Sequence, residues 1–229
     1  MTNPAPRHFH EELAQLKDRV LQMCSRVQNA LDRAVNSLLD RDAAAAERVI
    51  AEDHGIDDME VEVEETVTNL IALQQPMARD LRLILAMLKI SNDLERVGDH
   101  AVNIAECARR LPQARVIAPE PELVEMSRLA RQMLADAIDA FVRGDATAGR
   151  DVCRRDDKVD ALHRSMFRIL ITHMAEDPHV IGAAMELFLV SRNLERVADL
   201  ATNVAEDVVF LVEGKTIKHG AEGRPEDRS

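Results

Sequence analysis

The sequence predicts an all-α fold of two tandem, pseudo-symmetric three-helix bundles, and composition, periodicity and an internal repeat each predict it. Of 229 residues, 46% are hydrophobic, with no Trp, no Tyr and five Phe, and only eight Gly and eight Pro interrupt the chain. An aliphatic, Ala-, Leu- and Glu-rich sequence with few breakers favours long helices. Leu94, Val97, Ala101, Ile104 and Ala108 recur at helical spacing and form one apolar seam. Residues 91–106 read SNDLERVGDHAVNIAE, and residues 191–206 read SRNLERVADLATNVAE. Ten of these sixteen positions are identical at an offset of 100. Upstream, Asp53-x3-Asp57 matches Asp156-x3-Asp160, and Asp42 matches Asp145, at an offset of 103. A likeness that continues across helix caps marks a duplicated three-helix unit.

Six helices follow in order. The first is expected over about 8–40. Asp42 can cap a second that runs to about 74. Pro76 suits the first turn of a third, which runs to about 111. Residues 112–121 form the loop between the repeats, so the first repeat spans 8–111 and the second 121–213. The fourth helix is expected from Pro121 to about 143, ended by Gly144, and Asp145 can cap the fifth, to about 176. Asp177-Pro178 signals the start of the sixth, which ends near Gly214. Residues 214–229, rich in Gly, Pro and charge towards their end, are expected to be a disordered tail.

The formal net charge of −12 argues against nucleic acid as a partner and against adsorption to an anionic membrane surface. Cys24, Cys107 and Cys153 are odd in number and far apart, which fits reduced, inert thiols rather than a disulfide framework or a zinc site. The first ten residues lack an apolar signal core, and no apolar run approaches the about 18 residues of a membrane span. These features predict a soluble, cytoplasmic protein with no membrane span of its own.

The informative chemistry is acidic. Residues four apart share a helix face, so Asp53 projects with Asp57, Glu95 with Asp99, Asp156 with Asp160 and Glu195 with Asp199. Consecutive helices joined by a short turn run antiparallel. Asp57 lies 19 residues before Pro76 and Glu95 lies 19 after; Asp53 and Asp99 lie 23 before and after. Equal distances from a hairpin turn give equal heights, and the second repeat matches to within one residue around Pro178. Each repeat is thus expected to gather four carboxylates at one level. Asn103 and Glu106, with their equivalents Asn203 and Glu206, lie one or two turns on and extend each set. Crowded carboxylates require protonation, an Arg partner or a cation. Oxygen-rich sites of this kind suit Fe, Mn, Mg or Ca, and bridging carboxylates favour more than one ion per site. Against this stands a solvated acidic face balanced by Arg96 and Arg196.

His163 follows Asp160 on the same face and can join the second cluster, although a lone helical His is more often structural. His100 has Leu200 as its counterpart, and Gly98 has Ala198. Arg79 and Arg82 share a face near the start of the third helix, where a phosphate, an acidic partner or water alone can meet them. Gly214-Lys215-Thr216 resembles the end of a P-loop, but position 209 is Val and a helix precedes it. No HExxH, GxSxG or GxGxxG occurs, and Asp160-x-x-His163 supplies only one of the paired carboxylate–histidine motifs that a ferritin-like di-iron enzyme needs.

The stretches LERVGDH at 94–100, LERVAD at 194–199 and QPMARDLR at 75–82 resemble the PhoU family, and the resemblance covers about residues 8–213. It implies paired three-helix bundles and negative regulation of phosphate uptake and phosphate-starvation signalling. It also implies contact with the ATPase of a phosphate ABC transporter and with a sensor histidine kinase. Some members carry multinuclear metal clusters on the repeated acid motifs, and others are seen without metal. Three functions are therefore weighed: a non-enzymatic regulatory adaptor, a carboxylate-bridged metal enzyme such as an oxidase, and a plain helical scaffold. Interrupted apolar stripes further suggest a two-fold homodimer.

Overall fold

The computed structural model describes residues 4–111 and 120–217. The predicted inter-repeat loop therefore lies outside the described residues over 112–119, as does the predicted tail from 218 onward. Among the described residues the chain forms eight α-helices and one 3-10 turn: α1 Pro4–Asp40, α2 Ala43–Ala51, α3 His54–Gln74, α4 Ala78–Arg110, α5 Pro121–Arg143, α6 Ala146–Cys153, α7 Asp156–Glu176, the turn Pro178–Val180 and α8 Ile181–Glu213. The first bundle comprises α1 to α4 and the second α5 to α8.

Most of the predicted boundaries appear as read. Asp42 Oδ1 accepts from the Ala45 N–H at 2.9 Å and Asp145 Oδ1 from the Ala148 N–H at 3.0 Å, so both repeats start their second helix with the same cap. Gly144 and Gly214 end α5 and α8 in the left-handed region, with φ of 63° and 70°. Pro121 occupies the first turn of α5. Asp177 caps the 3-10 turn, accepting from the His179 N–H at 3.0 Å, and α8 follows. Pro76 does not open α4: Gln75 is left-handed, with φ of 47°, and Met77 is the residue before the helix.

The two long second helices are each bent where a continuous helix was expected. In the first repeat Glu52 (φ −93°, ψ 0°) and Asp53 (φ −58°, ψ −48°) stay right-handed, yet they separate α2 from α3. In the second, Arg154 and Arg155 do the same between α6 and α7. At both bends the ladder shortens to i−3 bonds, as from the Ile56 N–H to the Asp53 carbonyl (2.8 Å) and from the Arg155 N–H to the Val152 carbonyl (3.0 Å). Such 3-10 steps bend a helix without a Pro. Only Gly55 in the first repeat marks the position in the sequence.

One aliphatic core runs through both bundles. The predicted seam of α4 is buried from Leu94 to Ile104, and its equivalents Leu194, Val197, Ala201 and Val204 are buried on α8. Helices α4 and α8 pack against each other as the spine between the bundles. Lys89 meets Asp207 at 3.4 Å, Asp93 meets Asn203 at 3.5 Å and Arg110 meets Glu186 at 3.1 Å. Each step up α4 is matched by an equal step down α8, so the two run antiparallel about a pseudo-two-fold near Gly98 and Ala198. The three thiols are free, and burial is the largest cause that pushes Cys24 and Cys107 up to about 12 and Cys153 to about 11. They are correspondingly poor nucleophiles.

Candidate functional site

The bends place the acids. Asp53 is the last bend residue before α3, and Asp156 is the first residue of α7. Each therefore sits where its second helix turns across the third helix of its own bundle, at the level of the LER-x-x-D stretch. The electrostatics report this convergence. Burial first, then the charges of Asp57 and Asp99, raises the Asp53 carboxyl. Burial first, then Asp99, Glu60, Asp57 and Asp53, raises Glu95. In the second bundle burial pushes Asp156 up to about 6, with Asp199, Asp160, Asp157 and Glu195 adding to it. Each predicted set of four thus acts on itself, and Glu60 joins the first. A carboxyl raised by both burial and like charge is one whose ionised form lacks enough counter-charge.

Asp156 makes this concrete. Its Oδ1 is buried and accepts no hydrogen bond among the described residues, a state that native structures seldom tolerate without a water or ion. At the same time, no three His, Cys, Asp or Glu side chains among the described residues stand close enough together to ligate one ion. The arginines explain part of the spread. Arg196 holds Asp199 at 2.8 Å and Glu195 at 3.6 Å, whereas Arg96 turns to Asp93 at 3.6 Å. Arg164 reaches Asp160 at 3.7 Å. The acid face is therefore neither a bare cluster nor a fully balanced surface.

The outlying predicted residues have other neighbours. Glu106 pairs with Arg110 at 3.0 Å. Asn103 faces the α4–α8 side, and the Asn203 amide donates to Asp93 across that spine at 3.5 Å. Glu206 adds to the raised thiol of Cys153, which places it near the start of the second bend. His163 shares a hydrogen bond with Ser191 Oγ at 3.1 Å and lies against Phe188, the structural role expected of a lone helical His. Arg79 and Arg82 line a cleft with Lys17 and Arg143 at the far end of the spine. There the Arg82 Nε is buried without an acceptor among the described residues. Sequence reasoning set Arg96 and Arg196 against the acid face but did not single out Arg110 and Arg192, which join them between α4 and α8, because helix pairing, not spacing along one helix, assembles the four.

The comparisons with known proteins agree with this architecture. The PhoU domain family matches residues 20–108 and 123–208, one copy per bundle. A phosphate-specific transport system accessory protein PhoU homolog of Aquifex aeolicus is 41% identical over 209 residues, covering 91% of this chain and 95% of that protein. The protein of the same description from Clostridium acetobutylicum is 37% identical over 210 residues, covering 91% and 96%. The crystal structure of PhoU from Pseudomonas aeruginosa superposes with a TM-score of 0.87 at 35% identity, over 90% of this chain and all of that one. The phosphate transport system regulatory protein PhoU from Streptococcus pneumoniae superposes with a TM-score of 0.85 at 28% identity, over 92% and 99%. Two PhoU domains, one per bundle, and relatives alike over nearly their whole length lead to one conclusion: the chain belongs to the PhoU family.

Proposed function

We propose that this chain is a non-enzymatic accessory protein of a phosphate transport system that restrains phosphate uptake and phosphate-starvation signalling. The supporting observation is the end-to-end likeness to proteins described as phosphate-specific transport system accessory proteins. In this reading the chain acts in the cytoplasm as an adaptor between the ATPase of a phosphate ABC transporter and a sensor histidine kinase. No helix among the described residues is long and apolar enough to cross a membrane, so membrane contact runs through those partners. Phe167 and Ile171 on α7, with Ile181 and Met185 on α8, leave large apolar side chains exposed, which supports burial in a two-fold homodimer. In a strain lacking the gene, phosphate uptake and alkaline phosphatase output under phosphate excess should both rise. Unchanged values for both would sink the regulatory reading.

We also infer that the two acid sets hold hard cations, Fe, Mn, Mg or Ca. The donor chemistry suits them once the side chains close on an ion: they are all oxygen, several are raised by burial and then by their neighbours, and Asp156 carries a buried oxygen without a partner among the described residues. Asp53, Asp57, Glu95 and Asp99 would hold the first site and Asp156, Asp160, Glu195 and Asp199 the second, with Glu106 and Glu206, and then Asn103 and Asn203, beyond them. A bound cation would supply the missing counter-charge and tie α3 to α4 and α7 to α8. The unfolded chain cannot assemble such a site, so loading at about 100 times the dissociation constant adds about 2.7 kcal/mol of stability. A melting temperature indifferent to every one of these ions would remove the metal reading and leave the regulatory one standing.

A further inference from the structure

A groove of about 380 Å3 opens between α4 and α8, at the end of the spine where Arg110 meets Glu186. Its walls carry Arg96, Arg110, Arg192 and Arg196, with His100 and Asn193 between them. No Asp or Glu is among the described residues that line it, in a chain whose net charge is −12. Carboxylates hold three of the arginines from outside: Asp93 holds Arg96, Glu106 and Glu186 hold Arg110, and Glu195 and Asp199 hold Arg196. Arg192 enters no hydrogen bond or ion pair among the described residues. Asn193 spends its amide N–H on the Leu189 carbonyl, so its oxygen accepts from His100 Nδ1 at 2.9 Å. That bond fixes the ring and leaves Nε2 at the groove.

The repeat shows that this charge is directional. The opposite end of the spine, related by the pseudo-two-fold, has Asn92 in place of Arg192, Asp93 in place of Asn193, Leu200 in place of His100 and Phe210 in place of Arg110. All four exchanges make the groove end more basic. Two run the other way: Lys89 faces Leu189, but Lys89 is tied to Asp207, and Glu186 faces Ala86 but serves to hold Arg110. Three of the six differences inside the otherwise repeated 91–106 segment fall on this groove.

We propose that the groove binds an oligophosphate, a ligand whose recognised part is a chain of two or more phosphoryl groups. Guanidinium forks match phosphoryl oxygens; Arg192 is uncommitted, and the three guanidiniums that carboxylates hold keep further N–H donors along the same groove, so a ligand with several phosphoryl groups in a chain can meet more than one of them. The volume is that of a small-molecule site. His100 is the sole ring among the described lining residues, so the phosphoryl chain carries recognition and a nucleobase adds little. The inference goes beyond the accessory role and needs no metal, because its residues are the arginines of the spine and not the acid sets.

The test is calorimetric titration of the full chain in EDTA at low ionic strength, with tripolyphosphate, ATP, orthophosphate and a short oligoglutamate as probes. Tripolyphosphate and ATP should bind alike and saturably, and orthophosphate and oligoglutamate far more weakly. Arg192→Asn, which installs the residue of the other repeat at an exposed position, should weaken tripolyphosphate binding about tenfold or more. His100→Leu should weaken it by less, and Arg168→Gln, an equal loss of charge on α7, should leave it unchanged. The proposal is overturned by absence of saturable binding, by equal losses in Arg192→Asn and Arg168→Gln, by binding of ATP without tripolyphosphate, or by oligoglutamate binding as well as tripolyphosphate.

Discussion

The first and second bundles carry the same acid motif but neutralise it differently. Position 93 is Asp and position 193 is Asn. Arg96 therefore turns to Asp93 and leaves Glu95 and Asp99, whereas Arg196 closes on Asp199 and Glu195. Burial first, and the unrelieved repulsion after it, then raises Asp53 and Glu95 in the first bundle and Asp156 in the second. The packing under the acids differs in a complementary way. A Cβ at Gly98 would lie 3.1 Å from Ile56 Cδ1, while the second bundle has Ala198 and the smaller Val159 at the equivalent positions. One methyl group has moved from one partner to the other. The duplication has preserved the placement of the carboxylates while exchanging volumes and counter-charges around them.

The largest effect expected from this comparison lies at the short helices. A Cβ at Gly149 would meet the Ala205 carbonyl oxygen at 2.9 Å, whereas the equivalent Ala46 is already accommodated and buried. Gly149→Ala should cost about 1–3 kcal/mol by overpacking against backbone, and Ala46→Gly about 1 kcal/mol by lost helix propensity. Urea unfolding midpoints at constant slope measure both, and a neutral Gly149→Ala would show that α6 and α8 part freely. Next comes the exchanged methyl. Ile56→Val alone should cost about 1 kcal/mol, and adding Gly98→Ala should recover it, since the space is filled and a helical glycine is removed. A double-mutant cycle measures the coupling; additivity within about 0.3 kcal/mol would break the compensation account.

The smallest effect is electrostatic. Burial first, and then the neighbouring acids, pushes the folded-state carboxyl of Asp156 up to about 6 from its ordinary 3.8, so the folded protein binds that proton more tightly than the unfolded chain. The penalty of ionising it is complete above about pH 6 and is relieved as pH falls from there towards 4. Metal-free protein should therefore gain stability from this group on mild acidification, and Asp156→Asn should raise the melting temperature at pH 7 and flatten that slope. Asp53→Asn should do the same more weakly, because the Asp53 carboxyl is raised less. Melting curves in EDTA across pH 4.5 to 7.5 test this; a fall in melting temperature for Asp156→Asn at pH 7 would contradict it.

The sequence made the helical class, the duplication and the caps legible, because each has a local signature: Asp42 and Asp145 before an Ala-rich start, Gly144 and Gly214 at the ends. It also placed the acids at matching heights, since residue counts from Pro76 and Pro178 measure distance along paired helices. It did not reveal the bends at Glu52–Asp53 and Arg154–Arg155, where the backbone stays right-handed and no Pro marks the change. Nor did it reveal which acid each arginine chooses, or the basic groove. Both depend on α4 meeting α8, and a residue one step away on the same helix can face another neighbour entirely.

The most direct test of the paired acid sites is ion stoichiometry by elemental analysis after reconstitution with Fe or Mn and gel filtration. Wild type should retain ions, Asp99→Asn and Asp199→Asn should each lose about half of them, and the double variant should lose nearly all, with parallel losses of the melting-temperature gain. Wild type should also fill the first bundle at lower ion concentration, because no arginine there must first release Glu95 or Asp99. Protein that retains no ion, or retention unchanged in the double variant, would contradict the account.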